Sequence, residues 1–345
     1  LIDEPSHDCR LLSRFRTLPT MAKFSNEQTL RFDRESMEQA THFAIASYHA
    51  SKYPTGVTVV DGTAGLGGDA MALVQRGPVI AIENDPSRIE FAKHNLSPLG
   101  VEVLQSDVAE YLANHHPDYV WLDPARRTPT GKRITKLADY LPSPLTLWKS
   151  LESCTLVGIK CSPMTSDEEL LTVGERLEFV SFERECREAV VWHSSNPSTV
   201  EPGTFAVMLK EGLEPLVLEQ EETDGYSPMP RKYLYDCDPA AIRAHALGSF
   251  GLDALGDSPG YLTGEEIIDS PWLRRYEVLY AGPGDVKKTK VFLRHHGLRV
   301  FEVKQRGAGV DPQLLLRALK TEGTPCSLVA WKVGKSVRYA LALNN

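Results

Sequence analysis

The chain has 345 residues, more than one domain of ordinary size holds, and 42% of them are hydrophobic and 24% charged. No apolar run approaches the ~18 residues of a membrane span, so the sequence predicts a globular protein with no membrane anchor. Its six cysteines are scattered, with no C-x-x-C pair and no Cys/His cluster. That pattern argues against a disulfide scaffold and a metal site, and reduced thiols favour the cytoplasm.

The net charge of −8 is unevenly distributed along the chain. Between Arg274 and Arg306 there are nine Lys or Arg and three Asp or Glu, so a basic segment follows an acidic body. Such an asymmetry is typical of proteins that bind an anionic polymer, but a solvated helix face can have the same composition. Charge alone leaves both interpretations open.

The elements follow in chain order. Residues 1–55 are predicted to form an N-terminal helical segment, because apolar residues recur at spacings of three and four in RESMEQATHFAIASYHASKY. Residues 56–210 alternate between apolar strands and helices, which predicts a parallel sheet covered on both faces. The strands are VTVVDG, PVIAIEND, VEVLQSD, DYVWLDP and TLVGIKCSP. FVSFERECREAVVWHSS and GTFAVMLKEG are predicted to complete the edge of that sheet as an antiparallel pair.

The remaining chain divides into two parts. Residues 211–270 are rich in Glu, Pro, Gly and Asp and are interpreted as a connector with one helix, which begins after Asp238. Residues 271–345 follow the order strand, helix, strand, helix, strand, strand. The sequence therefore predicts an α/β protein with a small α+β module at its C-terminal side.

Acidic residues end four of the predicted parallel strands: Asp61, Glu83, Asp107 and Asp123. Ligands of such sheets bind beyond the carboxyl ends of the strands. The first acid opens a glycine loop in VVDGTAGLGGDAMALV, where glycines allow left-handed backbone and the close approach of a ligand. These strand ends are the predicted binding site.

The loop does not match a nicotinamide-binding fingerprint, because the third glycine of G-x-G-x-x-G is absent. Asp69 stands where a pyrophosphate would approach, and its negative charge would repel phosphate. A ligand with an ammonium group suits Asp61 or Asp69 instead. S-adenosylmethionine fits, with its amino-acid tail at the loop, its ribose on Glu83 and its adenine near Asp107.

The runs DGTAGLGGD, IENDPSRIEFAKHN, QSD and WLDPARR, taken in order, resemble a class I S-adenosylmethionine-dependent methyltransferase. More closely, LDPARRTPTGKR, VGIKCSP, REAVVW, KYLYDCDPAAIRA and FEVKQRG resemble a bacterial methyltransferase family with a C-terminal THUMP-like domain. The resemblance implies a Rossmann-like sheet over 56–210 and a THUMP-like module over 271–345. No metal ligand is expected. The cofactor-binding residues that it implies are Asp61, Gly62, Thr63, Gly65, Gly67, Glu83 and Asp107, and the residues at the methyl-transfer centre are Asp123, Pro124 and Arg126.

The substrate implied by the resemblance is structured RNA, tRNA or rRNA, docked by the C-terminal module. Two groups of cations agree with this, although salt bridges to the acidic body would also explain the first. The alternatives are an RNA-binding protein with a degenerate cofactor pocket and a methyltransferase of small molecules or proteins. The base, the atom and the oligomeric state stay open. The cations are Arg126, Arg127, Lys132 and Arg133 after the Asp-Pro motif, and Lys287, Lys288, Lys290, Arg294, Lys304 and Arg306 in the module.

Cys161 in KCSPMT raises a separate hypothesis, since this run resembles that of RNA pyrimidine C5-methyltransferases, whose cysteine attacks the base. A small buried cysteine is common in any core, so a structural role is the alternative.

Overall fold

A computed structural model describes residues 23–24, 29–127 and 131–344. This part of the chain forms two β-sheets, one of nine strands and one of eight. Two helices, α1 (Arg34–Gln39) and α2 (Phe43–Ser51), precede the first sheet, so the later half of the predicted N-terminal segment is helical. The prediction for residues 1–22 lies outside the described residues. No helix in the described ranges has the length and apolarity to cross a membrane.

The first sheet has the strand order β3-β2-β1-β4-β5-β7-β6-β8-β9, and its first five strands are all parallel. This confirms the parallel sheet predicted from the alternating pattern. The strands are β1 (Val59–Asp61), β2 (Val79–Glu83), β3 (Glu102–Gln105), β4 (Tyr119–Leu122), β5 (Leu156–Cys161), β6 (Arg176–Phe182), β7 (Glu185–His193), β8 (Gly203–Leu209) and β9 (Leu216–Glu219).

Both faces of this sheet are covered, as the buried runs predict. Val59 and Val60 are neighbours in β1 but belong to two different hydrophobic cores, one on each side of the sheet. Two of the covering helices begin at aspartate N-caps, Asp85 and Asp107. The helices are α3 (Gly68–Leu73), α4 (Pro86–Leu96), α5 (Val108–His115), α6 (Pro144–Leu151) and α7 (Asp167–Leu170).

The far edge of the sheet differs from the prediction. The segment FVSFERECREAVVWHSS is itself an antiparallel hairpin of β6 and β7, because the chain reverses at Glu183 and Arg184, which both have positive φ. The strand β7 pairs antiparallel with β5. The segment GTFAVMLKEG forms β8, which runs parallel to β6. The hairpin turn lies at the carboxyl end of β6, beside the mouth of the predicted site.

The second sheet has the order β10-β12-β13-β11-β14-β17-β16-β15. From β14 onward it has the predicted succession of strand, helix, strand, helix, strand and strand. Its elements are β10 (Tyr226–Ser227), β11 (Tyr233–Cys237), α8 (Pro239–Arg243), β12 (Asp253–Leu255), β13 (Tyr261–Gly264), β14 (Leu273–Pro283), α9 (Val286–His295), β15 (Leu298–Gln305), α10 (Pro312–Ala318), β16 (Thr324–Val333) and β17 (Ser336–Asn344).

The segment 211–270, interpreted from the sequence as a connector, contributes strands to both sheets. The strand β9 extends the first sheet, and β10 to β13 extend the second, where β11 pairs with β14. These strands have two to five residues among many Gly, Pro and acidic residues, so their alternation is too short to stand out. The predicted helix after Asp238 is present as α8.

Candidate active site

A cleft of about 1600 Å³ lies at the carboxyl ends of the parallel strands. The structure brings most of the predicted site residues to its wall. Asp61 and Gly67 lie behind that wall and support it. The predicted residues that line the cleft are Gly62, Thr63, Gly65, Glu83, Asp107, Asp123, Pro124 and Arg126.

Asp61 lies almost fully buried under the glycine loop. Its Oδ1 accepts a hydrogen bond from the backbone N–H of Thr63 at 3.2 Å, while its Oδ2 has no partner among the described residues. Burial and the nearby charge of Asp69 raise the pKa of Asp61 well above its usual value. An orphaned buried carboxylate oxygen fits a ligand that brings a positive charge, such as an ammonium group.

The glycines of the loop have different roles. A Cβ on Gly62 would lie 2.6 Å from Leu122 Cδ2, and a Cβ on Gly67 would lie 2.7 Å from Leu96 Cδ2, so both positions need glycine for packing. Gly65 has φ of +55°, and a Cβ there would meet nothing within 4 Å. Gly65 therefore borders open space where a ligand can approach the backbone.

Glu83 and Asp107 present carboxylates at two neighbouring strand ends. Glu83 Oε2 accepts from the backbone N–H of Gly65 at 2.8 Å, and Oε1 accepts from that of Asp85 at 2.8 Å. These two bonds fix the Glu83 side chain against the loop. Asp107 Oδ1 accepts from the backbone N–H of Ala109 at 2.7 Å and caps α5. Capping uses one oxygen of Asp107.

Asp123 ends β4 and lies at the centre of the cleft wall. Its backbone N–H donates to Thr63 Oγ1 at 2.6 Å, which ties the end of β4 to the glycine loop. Its Oδ2 accepts from Lys160 Nζ at 2.7 Å. Arg126 lies 3.8 Å from Asp123 Oδ1 and donates through Nη1 to the Cys161 carbonyl at 2.7 Å. Arg126 therefore holds the loop after Asp123 against β5.

A chain of buried charges extends from Asp123 to the helix that follows the glycine loop. We call Asp123, Lys160, Glu188, His49 and Asp69 the buried ion chain. Lys160 Nζ lies 3.7 Å from Glu188 Oε2, and His49 lies 2.5 Å from Glu188 Oε1 and 3.2 Å from Asp69 Oδ1. All except Asp123 are less than a tenth exposed. The neighbouring Thr41 accepts from Lys160 at 2.8 Å and donates to Asp69 at 2.9 Å.

The charges in this chain stabilise one another. Burial by itself lowers the pKa of His49, but the carboxylates of Glu188 and Asp69 outweigh it and raise that pKa to about 9. Burial likewise opposes the charge on Lys160, and Asp123, Glu188 and Asp69 raise its pKa. For both Glu188 and Asp69, burial raises the pKa and the cations His49 and Lys160 lower it. The net effect in both is a lowered pKa. The site thus holds alternating negative and positive groups.

Cys161 does not fit the role of a nucleophile. Its side chain is fully buried outside the cleft wall, and its Sγ points to the Ile159 carbonyl at 3.7 Å. Burial raises the pKa of the thiol to about 12, so the reactive thiolate is disfavoured. The structural alternative therefore accounts for this residue.

Two members of the buried ion chain, His49 and Lys160, were not predicted as site residues, and for Glu188 the sequence left open a structural role or a substrate contact. Lys160 and Glu188 lie inside segments that carry the family resemblance, VGIKCSP and REAVVW, and both interrupt apolar strands. A charged residue in a fully buried strand is a signal for a functional site. His49 has no such signal, since it lies on a helix 139 residues before Glu188 in the chain.

Charges of both signs line the cleft. Glu83, Asp85 and Asp107 follow the strands beside the glycine loop, with Arg88 next to Asp85, and the exposed Arg127 and Arg133 follow Asp123. Among the described residues, no carboxylate lies within ion-pair distance of either arginine. No cluster of three or more potential metal ligands occurs in the described ranges.

Comparisons with known proteins find similar methyltransferases. A family model described as THUMP domain-like matches residues 273–342. An uncharacterized S-adenosylmethionine-dependent methyltransferase of Mycobacterium tuberculosis is 29% identical over 314 residues, which are 88% of this chain and 85% of that protein. Trimethylguanosine synthase of Schizosaccharomyces pombe is 32% identical over 96 residues, 24% of this chain and 40% of that one.

A similar architecture is found in a solved structure of a putative methyltransferase from Porphyromonas gingivalis. It superposes with a TM-score of 0.73 at 25% identity, over 91% of this chain and 83% of that one. The similarity therefore extends over most of this chain. The sequence predicted this fold, and the cleft lies at the carboxyl ends of its parallel strands. The chain is therefore similar over most of its length to S-adenosylmethionine-dependent methyltransferases, and residues 273–342 match a THUMP-like domain.

Proposed function

We propose that this methyltransferase modifies structured RNA, tRNA or rRNA, in the cytoplasm, and that its THUMP-like module docks the RNA. The observation that carries the proposal is the charge arrangement. The cleft is lined by carboxylates at the strand ends and by the exposed Arg127 and Arg133, which form no ion pair with a described carboxylate, and it belongs to a chain with a basic C-terminal module.

The strand-end residues would hold S-adenosylmethionine. Glu83, fixed by the backbone of Gly65 and Asp85, presents its carboxylate to the ribose hydroxyls. Asp107 lies at the adenine side, and Asp61, which lies behind the cleft wall, would favour the positive charge of the amino-acid tail through its own charge and not by contact. When bound, the cofactor supplies an electrophilic methyl group on a sulfonium.

Asp123 would act on the nucleophile. Lys160 and the tie to Thr63 fix its carboxylate at the cleft wall, so its Oδ1 accepts a hydrogen bond from an N–H of the target base. Orienting that group in line with the methyl is the main catalytic contribution expected here. The Asp-Pro-Ala-Arg sequence that begins at Asp123 contains no aromatic residue.

The docking surface would be the outer face of α9. Lys287, Lys288 and Arg294 are exposed on that helix. Their charges suit contacts with several phosphates, which makes RNA affinity steeply dependent on salt. Lys304 and Arg306 contribute less, because both pair with Asp236 at 3.2 and 3.0 Å.

The test is transfer of a labelled methyl group into RNA, protein and metabolite fractions of a cell extract. We expect label in RNA with the wild-type chain and none with Asp123→Asn. The triple variant K287Q/K288Q/R294Q should lose RNA methylation and keep its affinity for S-adenosylmethionine. Label only in protein or metabolites would contradict the RNA substrate. Cofactor binding without label in any fraction would favour an RNA-binding protein without turnover.

A further inference from the structure

A second cavity, outside the active-site cleft, lies between the first sheet and the THUMP-like module. Its volume is about 330 Å³. Three arginines line it together with a serine and an asparagine, all of which have hydrogen-bond donors. We call it the junction cavity. Its polar lining residues are Arg184, Asp269, Ser270, Arg274, Arg275 and Asn344.

The junction cavity has an excess of positive charge. Arg184 donates to two neutral acceptors, the carbonyl of Asp236 at 3.0 Å and that of Pro271 at 3.4 Å. The Asp236 carboxylate is engaged elsewhere by Arg306, and no described carboxylate lies within ion-pair distance of Arg184 or Arg274. The acid in the cavity, Asp269, pairs with Arg275 at 3.0 Å. Two guanidinium groups therefore line the cavity without a direct ion pair among the described residues, and the buried Asp238 is the carboxylate whose charge acts on Arg184.

Arg184 connects this cavity with the active site, because its side chain also lines the cleft. It stands in the hairpin turn between β6 and β7, where Glu183 and Arg184 have φ of 53° and 61°. Turns of this conformation favour Asn and Gly, so a Glu-Arg pair is retained there at a cost in backbone energy. The hydrogen bonds of Arg184 to the carbonyls beside β11 and β14 hold it between the two sheets.

We propose that the junction cavity binds a backbone phosphate of the RNA strand whose target base occupies the cleft. The proposal rests on the RNA substrate proposed above. Guanidinium groups recognise phosphate oxygens through paired donors, and two arginines without a direct ion pair suit the negative charge of a phosphodiester. A phosphate there would join the strand in the cleft to the docked module.

The experiment compares Arg274→Gln with Lys149→Gln, which removes one charge from an exposed position on α6 outside both cavities. Binding of unfractionated tRNA and of labelled oligouridine is measured across a salt series, and affinity for S-adenosylmethionine reports folding. For R274Q we expect RNA affinity to fall roughly tenfold. The slope of affinity against salt should fall by about 0.7–0.9, as for one lost phosphate contact. K149Q should match the wild type.

A second variant protects the test against misfolding. Asn344→Asp adds a negative charge at an exposed lining position and should weaken RNA binding in the same way. Inorganic phosphate serves as a competitor and is added at the same concentration as the phosphate groups of the RNA. At that concentration it should not displace RNA from the cavity. If R274Q and N344D bind RNA as K149Q does, the junction site is refuted while RNA docking by α9 stands. If the wild type binds neither RNA, both the substrate and this site are refuted.

Discussion

The part of the protein that contains the first sheet should become less stable as the pH rises, because the buried His49 then loses its proton. His49 is buried between Asp69 and Glu188, which raise its pKa from 6.5 to about 9. Between these values the unfolded chain releases the proton and the folded chain keeps it. The stabilisation is therefore fully present below pH 6.5 and is lost as the pH rises through about 9.

The size follows from the shift. Each unit of pKa corresponds to about 1.4 kcal/mol, so the free energy of unfolding should fall by that amount per pH unit and by about 3 kcal/mol in total. His49→Gln removes this dependence. It should also cost about 3–5 kcal/mol at pH 7, because Asp69 and Glu188 then lose a buried cation.

Two measurements check the prediction. Imidazole chemical shifts report the pKa directly, with the His49 signal assigned by its absence in H49Q. Urea unfolding from pH 6 to 9.5 reports the slope, and the exposed His94→Gln serves as the matched control that should keep it. A His49 midpoint at or below 6.5, or equal slopes for wild type and H49Q, would refute the argument.

Three further predictions concern the cleft. Lys160→Met should lower methyl transfer by about 100-fold and change S-adenosylmethionine affinity little, because Asp123 loses its oriented partner, and Lys160→Arg should restore part of the rate. Gly65→Ala and Gly100→Ala should each cost about 1 kcal/mol, because both positions have positive φ and open space. Only Gly65→Ala should weaken cofactor binding measured by calorimetry, since Gly100 lies outside the cleft. Cys161→Ala should cost about 1 kcal/mol in unfolding and leave methyl transfer unchanged, and a large loss of transfer would revive the nucleophile.

The strand ends could be predicted from the sequence because they depend on local patterns. A buried run followed by an acid and glycines marks the carboxyl end of a parallel strand, and the topology then brings those ends together. Glu83 and Asp123 were found in this way, and both line the cleft. The short strands of the second sheet were missed, because two to five residues provide too little alternation.

The buried ion chain could not be predicted, because its contacts are formed between distant segments. His49 meets Glu188 only after β7 takes its place beside β5. The hairpin that places β7 there reverses direction at Glu183 and Arg184, and neither is a residue type that usually favours such a turn. The pairing of β7 with β5 therefore determines a part of the site that local sequence patterns cannot predict.

The geometry also reassigns the arginines that follow Asp123. In the sequence, Arg126 and Arg127 form one cationic group, yet Arg126 uses a donor on the Cys161 carbonyl and lies beside Asp123. Its role is to hold the loop, and any contact with RNA phosphates at this rim then falls to Arg127 and Arg133, which are exposed. Because Lys160 already binds Asp123 Oδ2, the atom left for a substrate N–H is Oδ1. A buried ion chain costs stability compared with apolar packing, so its value here is the fixed direction of that one oxygen.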